Sequence, residues 1–535
     1  MAPGSMVGAA LLVGAAAAGA PSKQPHIAFM LVDDLGFNDA WAVNTSDVAG
    51  AWPHVGALAN ESVRIATYYT TMLCTPTRGA FMTGRLPQRL GLHHGVIGGF
   101  QDYGLPANET TIADKLKGAG YATAHVGKWH LGNFDDASEP TRRGFDASYG
   151  YQNGEEDHFT RILQGLGDFQ ASSLADGASY YTVDDLLKIN GTHNSFLFVD
   201  RAVAVVGAHD ASIPLFLYLA LQDTHAPIQA PAGYADDAAC ASIGSSRHYP
   251  DGARREFCGM VRAADESIAN VTAAIDANFG KRNSVIVIAG DNGGIVKGGG
   301  NNWPLRGQKG QPWEGGVRNH ALIRAPGRLA PGLYDKGMVH VVDLHATLVA
   351  LAGGASAYEI DGLDVWAALR DGSPSPRSEV LLMYDPCAQH GPLAVNCSAP
   401  AYSYRDGDYK LVHPSIINDT WIMPPPSVGA AYADDGAPSC VHPEPHGAVS
   451  LDAACVSLVD NATYLYDLSV DPEERVDLAA EKPDVVFAIQ AKVLDFVARH
   501  EMYPCNVPGG PCFDVDQAGN ASCTALGYFR PWIRN

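Results

Sequence analysis

His26-Ile27-Ala28-Phe29-Met30-Leu31-Val32 closes on Asp33-Asp34-Leu35-Gly36, and far along the chain Ser284-Val285-Ile286-Val287-Ile288-Ala289-Gly290 closes on Asp291-Asn292-Gly293-Gly294. Each is an unbroken apolar run of strand length, the pattern of a strand covered on both faces in a parallel sheet. Taken singly, the polar tetrapeptides that follow read as turns. If the two strands share one parallel sheet, four oxygen-bearing side chains converge at its carboxyl edge, where open α/β sheets build their sites. Asp33, Asp34, Asp291 and Asn292 form an all-oxygen set, which favours a hard cation, calcium or magnesium.

Working outward, Pro214–Leu221 is a third apolar strand, running into Gln222-Asp223-Thr224-His225. Tyr121–Gly132 reads as a fourth, delivering Lys128 and His130 to one side by strand alternation. Helical stretches lie between these runs, such as Thr111–Lys117, capped by Asn108 or Thr110. The pattern predicts an α/β fold: a large mixed, mainly parallel sheet flanked by helices, over residues 23–371. Gly372-Ser373-Pro374-Ser375-Pro376 marks a seam. Beyond it, Glu379–Tyr384, Tyr409–Val412 and Leu465–Leu468 are short strand-like pieces, followed by a helix from Val485 to His500. Residues 376–535 are therefore expected to form a smaller lobe on a short antiparallel sheet and a helix. Pro424–Pro445 reads as a surface excursion.

Leu73-Cys74-Thr75-Pro76-Thr77-Arg78 carries the reactive chemistry. Pro76 suits the first turn of a helix because it has no N–H to leave unsatisfied. Cys74 then lies at the amino end of that helix, where backbone N–H groups and the dipole favour an anion, and Arg78 follows one turn on with a guanidinium suited to tetrahedral oxyanions. Asn302-Trp303-Pro304-Leu305-Arg306-Gly307-Gln308-Lys309 and Trp313–Arg318 form a Gly-rich loop that presents Lys309.

Cys-Thr-Pro-Thr-Arg at 74–78, closed by Thr-Gly-Arg at 83–85, resembles the signature of the type I sulfatases, in which the cysteine is converted to formylglycine. With the segments above, the resemblance runs in order from His26 to about Asp371. It implies that Asp33, Asp34, Asp291, Asn292 and the modified Cys74 hold a calcium-like ion, and that Arg78, Lys128, His130, His225 and Lys309 surround the sulfate. Gly-Gly-Asn-Asn-Trp-Pro-Leu-Arg-Gly, Trp-Glu-Gly-Gly-Val-Arg and Thr-Arg-Arg-Gly-Phe-Asp are most similar to the arylsulfatase B group, whose familiar member is N-acetylgalactosamine-4-sulfatase. The implied activity is hydrolysis of aryl or carbohydrate sulfate monoesters. A hydrated aldehyde attacks sulfur, His225 assisted by Lys309 protonates the leaving alcohol, and His130 serves as the base that resets the site. One family feature is missing: the stretch Gly150–His158 has no serine where arylsulfatase A-like chains place one, so none is assigned there.

Two other functions fit parts of this pattern. A phosphate or phosphonate monoester hydrolase would share the oxygen ligands, and an inactive secreted binding protein would share the fold, although the full set of site residues argues against the second.

The remaining features concern compartment and partners. Residues 1–20 are an uncharged Ala/Gly/Leu/Val stretch too short to span a bilayer and read as a secretory signal, and no later run is long enough to cross a membrane. Sequons at Asn44, Asn60, Asn108, Asn190, Asn270, Asn396, Asn418, Asn461 and Asn520 fit a glycosylating route, ending in secretion or the lysosome. Of the 10 cysteines, Cys240 and Cys258 are expected to form a local pair, and those clustered after Cys387 to staple the second lobe, with one thiol left over. A net charge of −22 argues against nucleic acid and acidic membranes as main partners. The expected partners are a sulfated small molecule or carbohydrate and, during maturation, a formylglycine-generating enzyme.

Overall fold

The computed structural model describes residues 24–500 apart from 42, 94, 100, 174–176, 182–185, 188–189, 245–251, 356–358, 386–399, 414–440, 444–448 and 452–462. The expected signal, most of the Pro424–Pro445 excursion, four of the sequons and every cysteine after Cys258 lie outside the described residues.

The first strand, His26–Val32, is buried along its whole length. It is paired in parallel on one side with Ser284–Gly290 and on the other with Leu215–Leu221. Two more parallel strands, Ala122–Lys128 and Ala147–Tyr151, extend the sheet beyond Leu215–Leu221. Antiparallel strands close both flanks, Arg318–Arg324 beside Ser284–Gly290 and Gln170–Ser173 beside Ala147–Tyr151, giving an 11-stranded mixed sheet. The register aligns Val32 with both Gly290 and Leu221, so the residues following all three strands emerge at one edge.

Alternation divides the first strand between two cores. Ile27, Phe29 and Leu31 pack toward helices Cys74–Thr83, Ile112–Gly118 and Val341–Leu351. Ala28, Met30 and Val32 pack toward helices Asn194–Ala208 and Ala253–Phe279. Coverage by helices on both faces explains why the strand is apolar at every position from Ile27 to Val32. The Ile112–Gly118 helix is capped by Thr111, not by Asn108 or Thr110 as expected from the sequence. Thr111 Oγ1 accepts from the Asp114 amide at 3.1 Å, and Asp114 returns a carboxylate to the Thr111 amide at 3.0 Å. The reciprocal box needs its two partners three residues apart, which Thr111 and Asp114 satisfy.

Gly372, left-handed at φ 65°, ends the helix Trp366–Asp371. The chain then enters a four-stranded antiparallel sheet of Glu379–Asp385, Ala401–Asp406, Tyr409–His413 and Tyr464–Asp467, with helix Pro483–Arg499 against it. Ala401–Asp406 was not foreseen; it forms a hairpin with Tyr409–His413 through Gly407-Asp408. Val380, Leu411, Leu465 and Ile489 belong to the same hydrophobic cluster as Phe29 and Phe81, so the two sheets share one core. Cys240 and Cys258 are disulfide-bonded.

Candidate active site

The helix Cys74–Thr83 starts at Cys74, after an extended Leu73. It points Cys74 at the carboxyl ends of the parallel strands, and the thiol donates to Asp33 Oδ1 at 3.5 Å. Lys128, the last residue of its strand, donates from Nζ to Asp33 Oδ2 at 2.6 Å. Arg78 spans the cluster, with Nη2 3.0 Å from Asp291 Oδ2 and 3.4 Å from Asp33 Oδ2. Asp34, left-handed at φ 53°, turns the other way. Its Oδ1 takes Lys309 Nζ at 2.6 Å and the Asn292 amide N–H at 2.8 Å, and its Oδ2 lies 3.6 Å from His225 Nε2.

All ten residues named from the sequence therefore meet. Asp34, Cys74, His130, His225 and Lys309 line a cavity of about 470 Å³, while Asp33, Arg78, Lys128, Asp291 and Asn292 are fully buried around them. One expectation about their delivery fails. The strand ends at Lys128, and His130 has φ 58°, so a left-handed turn aims its ring, not strand alternation. Gly154 backs that ring: a Cβ there would lie 2.8 Å from His130 Cε1.

Close backbone packing accounts for the glycines beside the carboxylates. A Cβ on Gly293 would fall on the Gly315 carbonyl, and one on Gly294 would come within 2.8 Å of Gly36 Cα. Asn302 fastens the same loops, accepting from the Gly294 amide at 2.9 Å and donating to the Gly307 carbonyl at 3.2 Å. The Gly310 amide then bonds the Met72 carbonyl at 2.8 Å, which sets the Lys309 loop beside the Cys74 helix.

The donor set fits a hard cation. Two buried oxygens, Asp34 Oδ2 and Asn292 Oδ1, have no hydrogen-bond donor, and Asp33, Asp34, Cys74 and His225 each place a ligand atom within 4.8 Å of the others. Buried polar atoms are normally paired, so unpaired oxygens beside a cluster of ligand atoms fit a place for positive charge. Asp291 stands slightly apart, its oxygens occupied by Arg78 and by the Asp34 amide at 3.1 Å.

The sequence pattern of the family described as Sulfatase matches residues 25–355. The chain belongs to the sulfatase family. This sulfatase is 32% identical over 489 residues to arylsulfatase J of Mus musculus, covering 89% of its own chain and 76% of that protein. It is 29% identical over 503 residues to arylsulfatase A of Homo sapiens, with 90% and 89% covered. Among solved structures it is similar to Ps i-CgsB in complex with k-i-k-neocarrahexaose, at a TM-score of 0.69 and 20% identity, covering 94% of this chain and 99% of the other. A Pseudoalteromonas sp. sulfatase, PsFucS1, gives a TM-score of 0.67 at 22% identity, with 90% and 92% covered. The similarity is spread over several arylsulfatase types, without singling out arylsulfatase B. The sulfatase is a sulfuric ester hydrolase.

Electrostatics in the sulfatase site follow from burial opposed by near neighbours. Burial pushes Asp33 up, but Lys128, His225, Arg78 and Lys309 together outweigh it and hold that carboxyl well below the usual range. Asp291, buried and facing the Asp33 charge, is pushed up to about 7. Burial, then Lys128 and Arg78, drive His130 well down, so its ring is neutral. Its Nε2 lies 3.0 Å from the Ile97 carbonyl and must donate there, which leaves Nδ1 with a lone pair and no partner. His225 is likewise lowered by burial against the pull of Asp34. Its Nδ1 donates to the Ala226 carbonyl at 2.8 Å, leaving Nε2 toward Asp34 and the cavity.

Sequence reasoning missed Asn153 and Glu155. Both line the cavity; Asn153 Nδ2 is buried without a partner, and Glu155 Oε2 sits 3.7 Å from His225 Nδ1. They lie on the stretch Gly150–His158, where nothing in the local pattern separates a polar side chain of the cavity wall from one in an ordinary turn.

Proposed function

We propose that this sulfatase cleaves sulfate monoesters with a formylglycine made from Cys74, beside a calcium-like ion held by Asp33, Asp34, Asp291 and Asn292 with the modified Cys74. The observation that carries the reading is the placement of Cys74 at a helix start, 3.5 Å from Asp33 and within one cluster with Asp34 and His225, on the wall of a cavity. Hydrated formylglycine supplies an oxygen nucleophile with a second hydroxyl for turnover, and the ion supplies positive charge against the sulfate oxygens.

The chain's own residues do the rest. Arg78 and Lys128 neutralise Asp33 and Asp291 from behind and fix their orientation. Lys309, on the cavity wall, offers its ammonium to the substrate's oxygens. His225 reaches the leaving oxygen through Nε2, for which it must carry a proton on both nitrogens. His130, neutral with a free Nδ1, accepts a proton at that atom.

Passage through the secretory route to secretion or the lysosome is supported by the Cys240–Cys258 disulfide and by the sequon asparagines Asn44, Asn60, Asn108, Asn190 and Asn270, all exposed. No helix of the described residues is long and apolar enough to cross a membrane.

Mass spectrometry of the peptide bearing Cys74, from protein made with a formylglycine-generating enzyme, should find the aldehyde. An unmodified thiol in fully active protein would refute the reading. Matched sulfate and phosphate esters complete the test, with the sulfate ester turned over faster.

A further inference from the structure

Gln222 follows the strand Leu215–Leu221 directly, is fully buried and does not line the cavity. Its side chain nonetheless reaches the acceptor that aims His225. His225 Nδ1 donates to the Ala226 carbonyl at 2.8 Å, and Gln222 Nε2 donates to the same oxygen at 3.2 Å. Gln222 Nε2 also donates to the Glu156 carbonyl at 2.7 Å, and the backbone carbonyl of Gln222 accepts the His225 amide at 2.7 Å. A carbonyl oxygen has two lone pairs, so the Ala226 oxygen holds the imidazole and is itself held by Gln222.

The side chain of Gln222 is fixed in turn. Asn194, buried at the start of its helix, donates from Nδ2 to Gln222 Oε1 at 2.9 Å and to Glu156 Oε1 at 3.2 Å. With both N–H groups engaged, Asn194 presents Oδ1 as the acceptor for His158 Nδ1 at 2.9 Å. His158 Nε2 then faces the His225 carbonyl at 3.3 Å. Hydrogen bonds therefore run in a closed circuit from the ring of His225 through Ala226, Gln222, Asn194 and His158 back to the His225 backbone. Gln222, Asn194 and His158 are all fully buried behind the cavity wall. The partner of one imidazole nitrogen decides how the other is presented, so what fixes the Ala226 carbonyl also fixes His225 Nε2.

Resting on the sulfatase reading above, we infer that Gln222 is a positioning residue for protonation of the leaving group: by holding the Ala226 carbonyl it keeps His225 Nε2 directed at the bridging oxygen of the ester. Loss of that bond lets the carbonyl and the imidazole it orients turn away together. Proton delivery to the departing alcohol then falls, whereas attack on sulfur, which uses other groups, does not.

The test must separate aiming the acid from fastening the fold. Phenyl sulfate and para-nitrophenyl sulfate are similar in shape, but the first depends far more on a proton to release its alcohol. The ratio of their kcat/KM values, taken on one sample of aldehyde-bearing enzyme, is independent of how much of that sample is folded. His225→Ala should lower kcat/KM for phenyl sulfate about 10²-fold and for the nitrophenyl ester far less. Gln222→Met should depress the phenyl-to-nitrophenyl ratio about tenfold, the scale on which outer hydrogen-bond partners act on the groups they orient. In the double variant it should add nothing to the ratio of His225→Ala. His158→Phe keeps an aromatic ring against His193, whose centroid lies 4.7 Å from that of His158, and decides by the same ratio should Gln222→Met not accumulate. An unchanged ratio makes the circuit a fastening only, and a further drop in the double variant means that Gln222 acts by another route; either overturns the inference and leaves the sulfatase reading intact. An unchanged ratio in His225→Ala removes the acid itself, and this inference with it.

Discussion

The charges buried around Asp34 and those buried around Glu314 are built from the same residue types, yet they serve different ends. Lys410, from the small sheet, reaches Glu314 Oε1 at 3.0 Å and Glu474 Oε1 at 2.9 Å, with all three side chains fully buried. Tyr69 donates to Glu314 Oε2 at 2.8 Å, and the Glu314 amide donates to Glu474 Oε2 at 2.7 Å. None of these residues lines the cavity. The cluster pins the Gly-rich loop that bears Lys309 to the second sheet. Around Asp34, carboxylates and cations are just as closely paired, but Asp34 Oδ2, Asn292 Oδ1 and His130 Nδ1 remain unmatched, and one face opens on a cavity. Access and unmatched atoms distinguish the reactive cluster; burial of charge alone does not.

The largest effect expected from breaking this contrast is catalytic. Cys74→Ser should lower multiple turnover of a chromogenic aryl sulfate by about 10³-fold or more while leaving the thermal midpoint close to that of the parent. Sustained turnover by the serine variant would remove the aldehyde from the mechanism.

On the other cluster the effect should fall on stability. Lys410→Met strands two buried carboxylates, a loss of about 3–5 kcal/mol in unfolding free energy, read by denaturant titration. The fraction that stays folded should retain the parent's pH–rate profile. A changed profile at unchanged stability would mean that the Glu314 cluster acts on the chemistry and is not a fastening.

Chelation sharpens the distinction further. Removal of divalent ions should lower both activity and the thermal midpoint, and calcium should restore both, with about 3 kcal/mol of stabilisation at hundredfold saturation. The midpoint of an Asp34→Ala variant should not respond to calcium. If it responds as the parent does, the ion sits elsewhere.

The smallest effect concerns acid. His26, at the opposite end of the first strand from Asp33, stacks on Phe279 at 3.7 Å and accepts the Leu215 amide on Nδ1 at 3.2 Å. Burial, with the nearby His209 charge, lowers it from 6.5 to about 4. The unfolded chain therefore binds the proton first, so this contribution is complete above about pH 6.5 and is lost as pH falls through about 4. The thermal midpoint should decline across that window, and His26→Gln should make the decline shallower.

By itself the sequence determined the parallel core and named ten candidate residues that the fold brings together. A strand covered on both faces must be apolar along its interior, and Ile27–Val32 and Val285–Ala289 are; a candidate ligand at a strand's carboxyl end must follow that run directly, and Asp33, Asp34, Asp291 and Asn292 do. Local chemistry also marked Cys74 and Arg78, because a proline in the first helical turn is a short-range signal. What only the tertiary structure decided was orientation and access. His130 is aimed by a positive φ that strand periodicity cannot express, and the Thr111 cap was misplaced because several polar residues precede that helix. Asn153 and Glu155 entered the cavity wall through a loop whose course depends on Asp168 and on the strands around it, Asp168 accepting the Gln152 and Asn153 amides at 3.1 Å. The physical reason is range: burial and capping act between neighbours in the chain, whereas the division of ten polar residues into a buried back and an open face depends on contacts formed across more than two hundred positions, as between Asp34 and Asn292.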